Sequence, residues 1–254
     1  MIDLSYRERG QGPTLLLIHG LFGSADNLGG LARILEAEFR TISVDLRNHG
    51  RSPHADSMSY PLMADDVLRL MDRLGIEKAN IFGHSMGGKT AMQLTLDYPD
   101  RVKKLIVADI APVTYSHHHL KILQGMEAVA VVAPTSRKAA LEILSKYEDE
   151  PAVLSFLLTN WRRGEAGSWE WRINLEAINR DYAKIAVGNT GNPYLGDVLF
   201  LRGSNSSYIL AEHKDAILNL FPNATVRTIG GTGHWLHAEK PDMVARSISR
   251  FLMP

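Results

Sequence analysis

The feature that most constrains the fold of this chain is a Gly-x-Ser-x-Gly sequence at residues 83–87, between an apolar run and a helical pattern. Residues 79–82 have the length of a buried strand, and apolar residues recur at helical spacing after Ser85. Ser85 is therefore predicted at a sharp strand-to-helix turn, where its backbone is strained and its hydroxyl projects above the sheet. Gly83 and Gly87 fit such a turn because a Cβ at either position would collide across it. Taken alone, the pattern also fits a glycine-rich turn without a catalytic role.

Apolar runs of strand length alternate with amphipathic segments over most of the chain. Strands are predicted at residues 14–18, 41–44, 79–82, 104–108, 198–201 and 225–229, and helices at residues 60–74, 86–96, 210–220 and 241–252. The continuous apolar run at residues 14–18 is typical of a strand buried on both faces of a parallel sheet. The alternation indicates βαβ units, so we expect an α/β fold with a mostly parallel, doubly wound sheet.

The pattern changes between residues 113 and 191, where helical periods follow one another without an intervening strand. The last two helices predicted in this segment cover residues 152–158 and 175–187. We interpret the segment as a helical cap inserted into a core domain made of residues 1–112 and 192–254. Its tryptophans either roof a pocket or fill the interior of the cap, and the sequence leaves both options open; they are Trp161, Trp169 and Trp171.

Composition excludes several classes of partner and site. The 28 basic residues balance 28 acidic ones without a long run of one sign, which gives no electrostatic reason to expect nucleic acid or an anionic membrane as a partner. The chain has no cysteine, so disulfides, thiolate metal sites and a cysteine nucleophile are excluded. Residues 1–9 lack the apolar region of a secretory signal, and no apolar stretch reaches the roughly 18 residues of a membrane helix. We therefore expect a cytoplasmic protein of undetermined oligomeric state.

A metal site and a cofactor are not expected. Residues 117–119 are three consecutive histidines, but consecutive side chains point in different directions and no carboxylate is spaced to complete a site. Lys89 lies one turn into the helix after Ser85, where a surface or packing role is expected rather than catalysis.

Polar residues that suit nucleophilic catalysis follow several predicted strands. They are His19, Ser85, Asp109 and His234, and they converge if the carboxyl ends of parallel strands meet at one edge of the sheet. A serine hydroxyl needs a base to attack at neutral pH. His234 is the candidate because its glycine-flanked loop allows the imidazole to reach Ser85. His237 is the alternative, although its position near the last helix suits a supporting role better.

In chain order, several motifs resemble those of the α/β-hydrolase family, and the resemblance covers nearly the whole chain. The matching stretches are His-Gly at residues 19–20, residues 45–52, residues 83–88 and Gly-His at residues 233–234. The resemblance implies the α/β-hydrolase fold and a triad in the order serine, acid, histidine. It also implies that Asp45 is structural and shapes the turn after its strand.

The position of the acid departs from the pattern of most α/β hydrolases. Those carry it as Gly-x-x-Asp after the strand at residues 198–201, whereas residues 203–206 here read Gly-Ser-Asn-Ser, with no carboxylate before Glu212. A smaller branch, the bacterial YbfF-type esterases, places the acid at the end of the preceding strand. Residues 19–24, 109–113 and 234–241 resemble that branch as well, which implies that Asp109 is the acid.

The resemblance implies a serine carboxylic ester hydrolase that works through an acyl-enzyme without a cofactor or metal. Its oxyanion hole would use the backbone N–H groups of Leu21 and Met86, and the pocket would be lined by Phe22, His84 and Trp235. The expected partner is a small-molecule ester or thioester, with acyl-CoA hydrolysis as a secondary activity. Carbon–carbon bond hydrolysis, peracid formation and a non-catalytic role as a ligand receptor stay open as alternatives.

Overall fold

The computed structural model describes residues 2–116, 119–164 and 166–253. Its strands are β1 (Tyr6–Arg9), β2 (Thr14–Ile18), β3 (Arg40–Val44), β4 (Ala79–His84), β5 (Val102–Ala108), β6 (Trp161–Arg163), β7 (Trp169–Trp171), β8 (Val198–Gly203) and β9 (Ala224–Ile229). Its helices are α1 (Gly29–Leu35), α2 (Tyr60–Arg73), α3 (Met86–Asp97), α4 (Leu120–Val132), α5 (Arg137–Leu144), α6 (Pro151–Leu158), α7 (Leu175–Arg180), α8 (Tyr182–Ala186), α9 (Lys214–Leu220), α10 (Leu236–Glu239) and α11 (Pro241–Leu252). Short 3-10 helices cover Ala25–Leu28, Pro99–Arg101 and Ala211–His213.

The main sheet has seven strands in the order β1-β3-β2-β4-β5-β8-β9. β1 runs antiparallel to β3, and all other neighbouring pairs are parallel, which confirms the α/β fold class. β4 and β5 are neighbours, with His84 opposite Ala108. Ser85 and Asp109 therefore leave adjacent strands at the same edge of the sheet.

Residues 15–18 of β2 form an unbroken apolar run because helices cover both faces of the sheet. Along β2, Leu16 and Ile18 pack with residues of α2 and α3, whereas Leu15 and Leu17 pack with residues of α1 and α11 on the other face. Successive side chains of a strand point to opposite faces, so a strand buried on both sides needs a continuous apolar run. The sequence interpretation of residues 14–18 is confirmed.

The segment between β5 and β8 contains a β-hairpin that the sequence analysis did not predict. β6 and β7 pair in antiparallel fashion, with Trp161 opposite Trp171, so the expectation of helices alone in this segment is wrong. Trp161 is almost fully buried and lies against the rings of Trp169 and Trp171. The indole N–H groups of Trp161 and Trp171 donate to backbone carbonyls of the same segment. The tryptophans therefore fill the interior of this segment.

The helix expected at residues 175–187 is broken into α7 and α8 at Asp181. The Asp181 carboxylate accepts a hydrogen bond from the Met58 backbone N–H at 2.7 Å. This contact joins the segment to the loop before α2. In the described ranges, no helix combines the length and the apolar character needed to cross a membrane.

Candidate active site

Ser85 occupies the turn between β4 and α3 in a strained conformation, with φ 54° and ψ −121°. Such values are rare for a residue with a side chain. The turn requires glycine on both sides, since a Cβ at Gly83 would lie 2.2 Å from the Gly87 carbonyl oxygen and a Cβ at Gly87 would lie 2.3 Å from that of Ile18. The Ser85 N–H donates to the carbonyl of Ala108 at 3.0 Å, which ties the turn to β5.

His234 and Asp109 form a hydrogen-bonded pair near this turn. His234 Nδ1 lies 2.8 Å from Asp109 Oδ2, and the Asp109 side chain is fully buried. A carboxylate at Nδ1 holds the proton on that nitrogen, which leaves Nε2 as an acceptor. In the described part of the chain no hydrogen bond joins the Ser85 hydroxyl to the imidazole, and both residues line one cavity. Such contacts are often long before substrate binds.

The Asp109 carboxylate also accepts two hydrogen bonds from the loop after β8. The Gly203 N–H donates to Oδ1 at 3.0 Å, and the Ser206 hydroxyl donates to Oδ2. Ser206 was not among the residues predicted from the sequence. A signal was present, since Ser206 is the fourth residue of the Gly-x-x-Ser stretch, where most α/β hydrolases carry the acid. Ser206 thus stands at the position of the usual acid, and its hydroxyl contacts the Asp109 carboxylate.

The ring of Tyr208 stacks on the His234 imidazole, with centroids 4.0 Å apart and planes 22° from parallel. Its backbone N–H donates to the Ser206 hydroxyl at 3.2 Å. Tyr208 therefore restricts the orientation of the imidazole. Nothing in the sequence pattern indicated this residue.

Two further histidines pack beside His234. The His84 ring lies between those of His234 and His237, with centroid distances of 4.7 and 4.2 Å. Burial and, to a smaller extent, the neighbouring imidazoles lower the pKa of His84 well below its usual value and that of His237 to about 3. Both rings are therefore neutral at neutral pH. His237, the alternative base, has no hydrogen bond at its buried Nδ1 in the described ranges.

The loop after β2 lies opposite His234. Phe22 has a positive φ of 61°, and its N–H donates to His49 Nε2 at 3.2 Å. His49 accepts this bond because its Nδ1–H donates to the Arg47 carbonyl and because burial lowers its pKa to about 3. Within the described residues, no hydrogen bond uses the N–H of Leu21 or Met86, the two groups predicted to form an oxyanion hole.

Two cavities meet at Ser85. The larger has a volume of about 230 Å³ and is lined by Ser85, His234 and the three residues predicted from the sequence, Phe22, His84 and Trp235. Apolar side chains of α4 and α6 form its outer wall, namely Ile122, Val153, Phe156 and Leu157. The smaller has a volume of about 50 Å³ and is lined by Ser85, Met86, Lys89 and tyrosine side chains.

Asp45 and Lys89 are buried away from the His234–Asp109 pair. The Asp45 carboxylate accepts the N–H groups of Ala25 and Arg51 at 2.7 and 2.9 Å, which agrees with a structural role in the turn. The Lys89 side chain is 1% exposed, so of the two roles expected from the sequence, surface or packing, its burial agrees with packing. Its ammonium donates to the carbonyl of Val113 at 2.6 Å and to that of Val187, which packs α3 against both ends of the segment between β5 and β8.

The consecutive histidines weighed as a metal site lie partly outside the described residues, since His117 and His118 are not described. Across residues 2–116, 119–164 and 166–253, no group of three or more histidine, aspartate or glutamate side chains is arranged to hold a metal ion. The absence of a metal stays a prediction.

Comparison with known proteins gives consistent matches. Residues 13–130 match the family model described as alpha/beta hydrolase fold. The chain is 42% identical to esterase YbfF of Escherichia coli K12 over 94% of this chain and 92% of that protein. It is 39% identical to the sn-1-specific diacylglycerol lipase ABHD11 of Mus musculus over 94% of this chain and 81% of that protein. A solved structure titled marine microorganism esterase superposes with a TM-score of 0.95 at 41% identity, covering 99% of this chain and 100% of that one.

Proposed function

The chain belongs to the α/β-hydrolase family and is a carboxylester hydrolase, and from that premise we propose that it acts through an acyl-enzyme on Ser85, with His234 as base and Asp109 as acid. The observation that carries this assignment is the 2.8 Å contact between His234 Nδ1 and the buried Asp109 carboxylate, at a cavity that Ser85 also lines. A hydroxyl, an imidazole and a carboxylate in this arrangement form a serine nucleophile with an oriented base.

The first half of the reaction acylates Ser85. His234 Nε2 takes the Ser85 proton as the hydroxyl oxygen attacks the ester carbonyl carbon, and the Asp109 carboxylate stabilises the resulting imidazolium. The oxyanion accepts hydrogen bonds from the N–H groups of Leu21 and Met86. When the tetrahedral intermediate collapses, the imidazolium gives its proton to the departing alkoxide.

The second half releases the acid. His234 Nε2 removes a proton from a water molecule, the hydroxide attacks the acyl carbon, and the proton returns to Ser85 as its oxygen leaves. The neutral state of His84 and His237 supports this role, because no second positive charge then lies beside the His234 imidazolium. No step requires a cofactor.

The activity is tested with 4-nitrophenyl butyrate under pre-steady-state conditions. We expect a burst of nitrophenol equal to the enzyme concentration if deacylation is slower than acylation, and loss of activity in Ser85→Ala. Treatment with an organophosphonate should add one phosphonyl group, located by peptide mass spectrometry on Ser85. Unchanged turnover of Ser85→Ala, or labelling of another residue, would refute the assignment.

The same chemistry applies to a thioester, so acyl-CoA hydrolysis is included in the proposal as a second activity. Release of free thiol from acetyl-CoA and longer acyl-CoAs, measured with a thiol-reactive dye, tests it. Carbon–carbon bond hydrolysis and peracid formation remain the alternatives within this fold. A non-catalytic receptor is disfavoured because all three side chains are present.

We further propose that residues 113–191 form a cap on a core made of residues 1–112 and 192–254. α4 and α6 belong to this segment and supply the apolar wall of the larger cavity. The cytoplasmic location expected from the sequence stays a prediction.

A further inference from the structure

The two cavities at Ser85 differ in one chemically decisive residue. Both are lined by Leu21, Ser85, His119 and Tyr208, so they share the place where the ester carbonyl must lie. His234 lines the larger cavity and does not line the smaller one. Met86 and Lys89 line the smaller one, on the α3 side of Ser85.

The stereochemistry of acyl transfer decides which part of the ester enters which cavity. The tetrahedral carbon carries the Ser85 oxygen, the oxyanion, the leaving oxygen and the acyl chain. The leaving oxygen must face His234, which protonates it, and the oxyanion must face the N–H groups of Leu21 and Met86. The acyl chain takes the remaining direction, away from the imidazole. We infer that the small cavity binds the acyl chain and the large cavity binds the alcohol, so that the enzyme selects esters of short, uncharged acids with bulky apolar alcohols; this rests on the triad proposed above.

The volume of the small cavity sets the acyl length. A group the size of a water molecule or a methylene needs about 10–15 Å³ of such space, so a cavity of about 50 Å³ accepts three to five of them. An acyl chain of up to about six carbons therefore fits, and an octanoyl chain does not. The larger cavity, at about 230 Å³, has room for an alcohol several times that size.

The walls of the small cavity are held by hydrogen bonds that a longer chain would have to break. The Tyr60 hydroxyl donates to the Ile185 carbonyl. The Tyr115 hydroxyl accepts the Ala111 N–H at 2.9 Å and donates to the Tyr208 carbonyl. Close packing of this kind resists enlargement because any shift leaves buried polar groups unpaired.

The charge of the small cavity disfavours an acidic acyl chain. The Lys89 ammonium is directed at the carbonyls of Val113, Ala186 and Val187, so its three N–H donors have acceptors within the protein. The remaining lining is aromatic or aliphatic apart from hydroxyl groups, the Met86 sulfur and the His119 imidazole, whose Nδ1 lies 2.8 Å from the Tyr182 hydroxyl. A carboxylate at the end of the acyl chain would lose its hydration without gaining an equivalent partner.

Two ester series on the intact chain test the assignment. One varies the acid, as the 4-nitrophenyl esters of acetate, butyrate, hexanoate and octanoate. The other varies the alcohol, as acetates of ethanol, butanol, hexanol and octanol, followed by acid release in a pH-stat. We expect kcat/KM to fall at least tenfold from butyrate to octanoate, because each methylene that the small cavity cannot hold lowers kcat/KM about tenfold or more. From ethyl to octyl acetate, kcat/KM should stay level or rise. Level or rising values along the acid series would overturn the inference.

Two isoleucines provide a matched pair of variants, because Ile185 lines only the small cavity and Ile122 only the large one. Ile185→Ala should raise the octanoate-to-butyrate ratio of kcat/KM at least tenfold. Ile122→Ala should leave that ratio within threefold and change the octyl-to-ethyl ratio instead. The reverse pattern, or no change in either ratio, refutes the assignment of the cavities.

Folding and the underlying mechanism are controlled separately. Circular dichroism verifies that both variants fold, and Ile185→Val, a smaller change, should shift the same ratio in the same direction by a smaller factor. Ser85→Ala is measured on every ester. Activity that survives in Ser85→Ala refutes the proposed triad. If Ser85→Ala is inactive but the wild type shows no preference for short acids, only the assignment of the cavities is refuted.

Discussion

Asp109→Asn is the sharpest test of how the imidazole is oriented. In the wild type the carboxylate accepts three donors, with the Gly203 N–H at Oδ1 and the Ser206 hydroxyl and His234 Nδ1–H at Oδ2. An asparagine of the same shape replaces one acceptor oxygen by an NH2 donor. The variant therefore cannot keep all three hydrogen bonds in either orientation of its amide.

The structure indicates which orientation the amide takes. If the NH2 group replaces Oδ1, it faces the Gly203 N–H, a backbone donor that cannot rotate away. If it replaces Oδ2, it faces a hydroxyl and an imidazole, and both can become acceptors. The second orientation avoids a buried donor–donor contact, whose cost is about 1–3 kcal/mol. In that orientation the proton of His234 moves to Nε2, which can then no longer accept the Ser85 proton.

The expected loss is large because the wrong tautomer removes general-base catalysis. Inactivation of this kind costs about 10⁴-fold in kcat, or about 5.5 kcal/mol of transition-state stabilisation. Steady-state hydrolysis of 4-nitrophenyl butyrate measures it, with nitrogen-15 chemical shifts of His234 to report the tautomer. Turnover of Asp109→Asn within tenfold of the wild type would refute the reasoning.

Asp45→Asn is the matched control. Asp45 is also a buried aspartate directly after a sheet strand, and it accepts two backbone N–H groups without contacting His234. Its replacement should lower the midpoint of thermal unfolding while kcat at 25 °C changes by less than about threefold. A loss of kcat as large as that of Asp109→Asn would show that the assay reports folding rather than tautomer.

Three further predictions concern the surroundings of the site. Ser206→Ala removes one hydrogen-bond donor from the Asp109 carboxylate. Because a hydrogen bond to a charged group is worth about 1.5–3 kcal/mol, kcat should fall about tenfold with KM nearly unchanged, and an unaltered kcat in steady-state assays would contradict this. Because burial lowers the pKa of Lys89 to about 7 from 10.5, the folded protein releases this proton at lower pH than the unfolded chain. As the pH rises from 7 to 9, the free energy of unfolding of the wild type, measured in urea, should therefore increase relative to that of Lys89→Met by up to about 1.4 kcal/mol per pH unit. A difference between the two proteins that shrinks with rising pH would contradict this. Arg47→Met leaves the fully buried Asp66 carboxylate without its ion-pair partner at 2.6 Å, so the free energy of unfolding measured in urea should fall by about 3–5 kcal/mol. The double variant Arg47→Met with Asp66→Leu should recover much of that loss, and no recovery would refute this reasoning.

The parts of the fold that local sequence encodes were predictable. The strands of the central sheet and the turn at Ser85 depend on apolar run length and on glycines at fixed offsets, which are properties of neighbouring residues. Asp109 and His234 could be expected to approach each other, because both follow strands of one sheet. The resemblance to a family was needed to choose Asp109 over an acid after β8.

The segment between β5 and β8 was predicted less well. β6 and β7 have three residues each, too few for a period-two pattern to be distinguished, and they are stabilised by contacts of Trp161 with Trp169 and Trp171. The break between α7 and α8 lies at Asp181, whose carboxylate accepts a hydrogen bond from Met58, a residue far away in sequence. Both features depend on contacts between distant residues, which periodicity does not report.

The sequence by itself determined the α/β architecture and the strained serine turn, because apolar period, glycine placement and strand direction act over a few residues. The order serine, acid, histidine stays a prediction. Only the tertiary structure decided that Ser206 supports Asp109, that Tyr208 stacks on His234, and that Ser85 lies between a large and a small cavity. These features depend on the packing of side chains from separate segments of the chain, such as Ser206 and Asp109, which are 97 residues apart, and that packing forms only when the segments fold against one another.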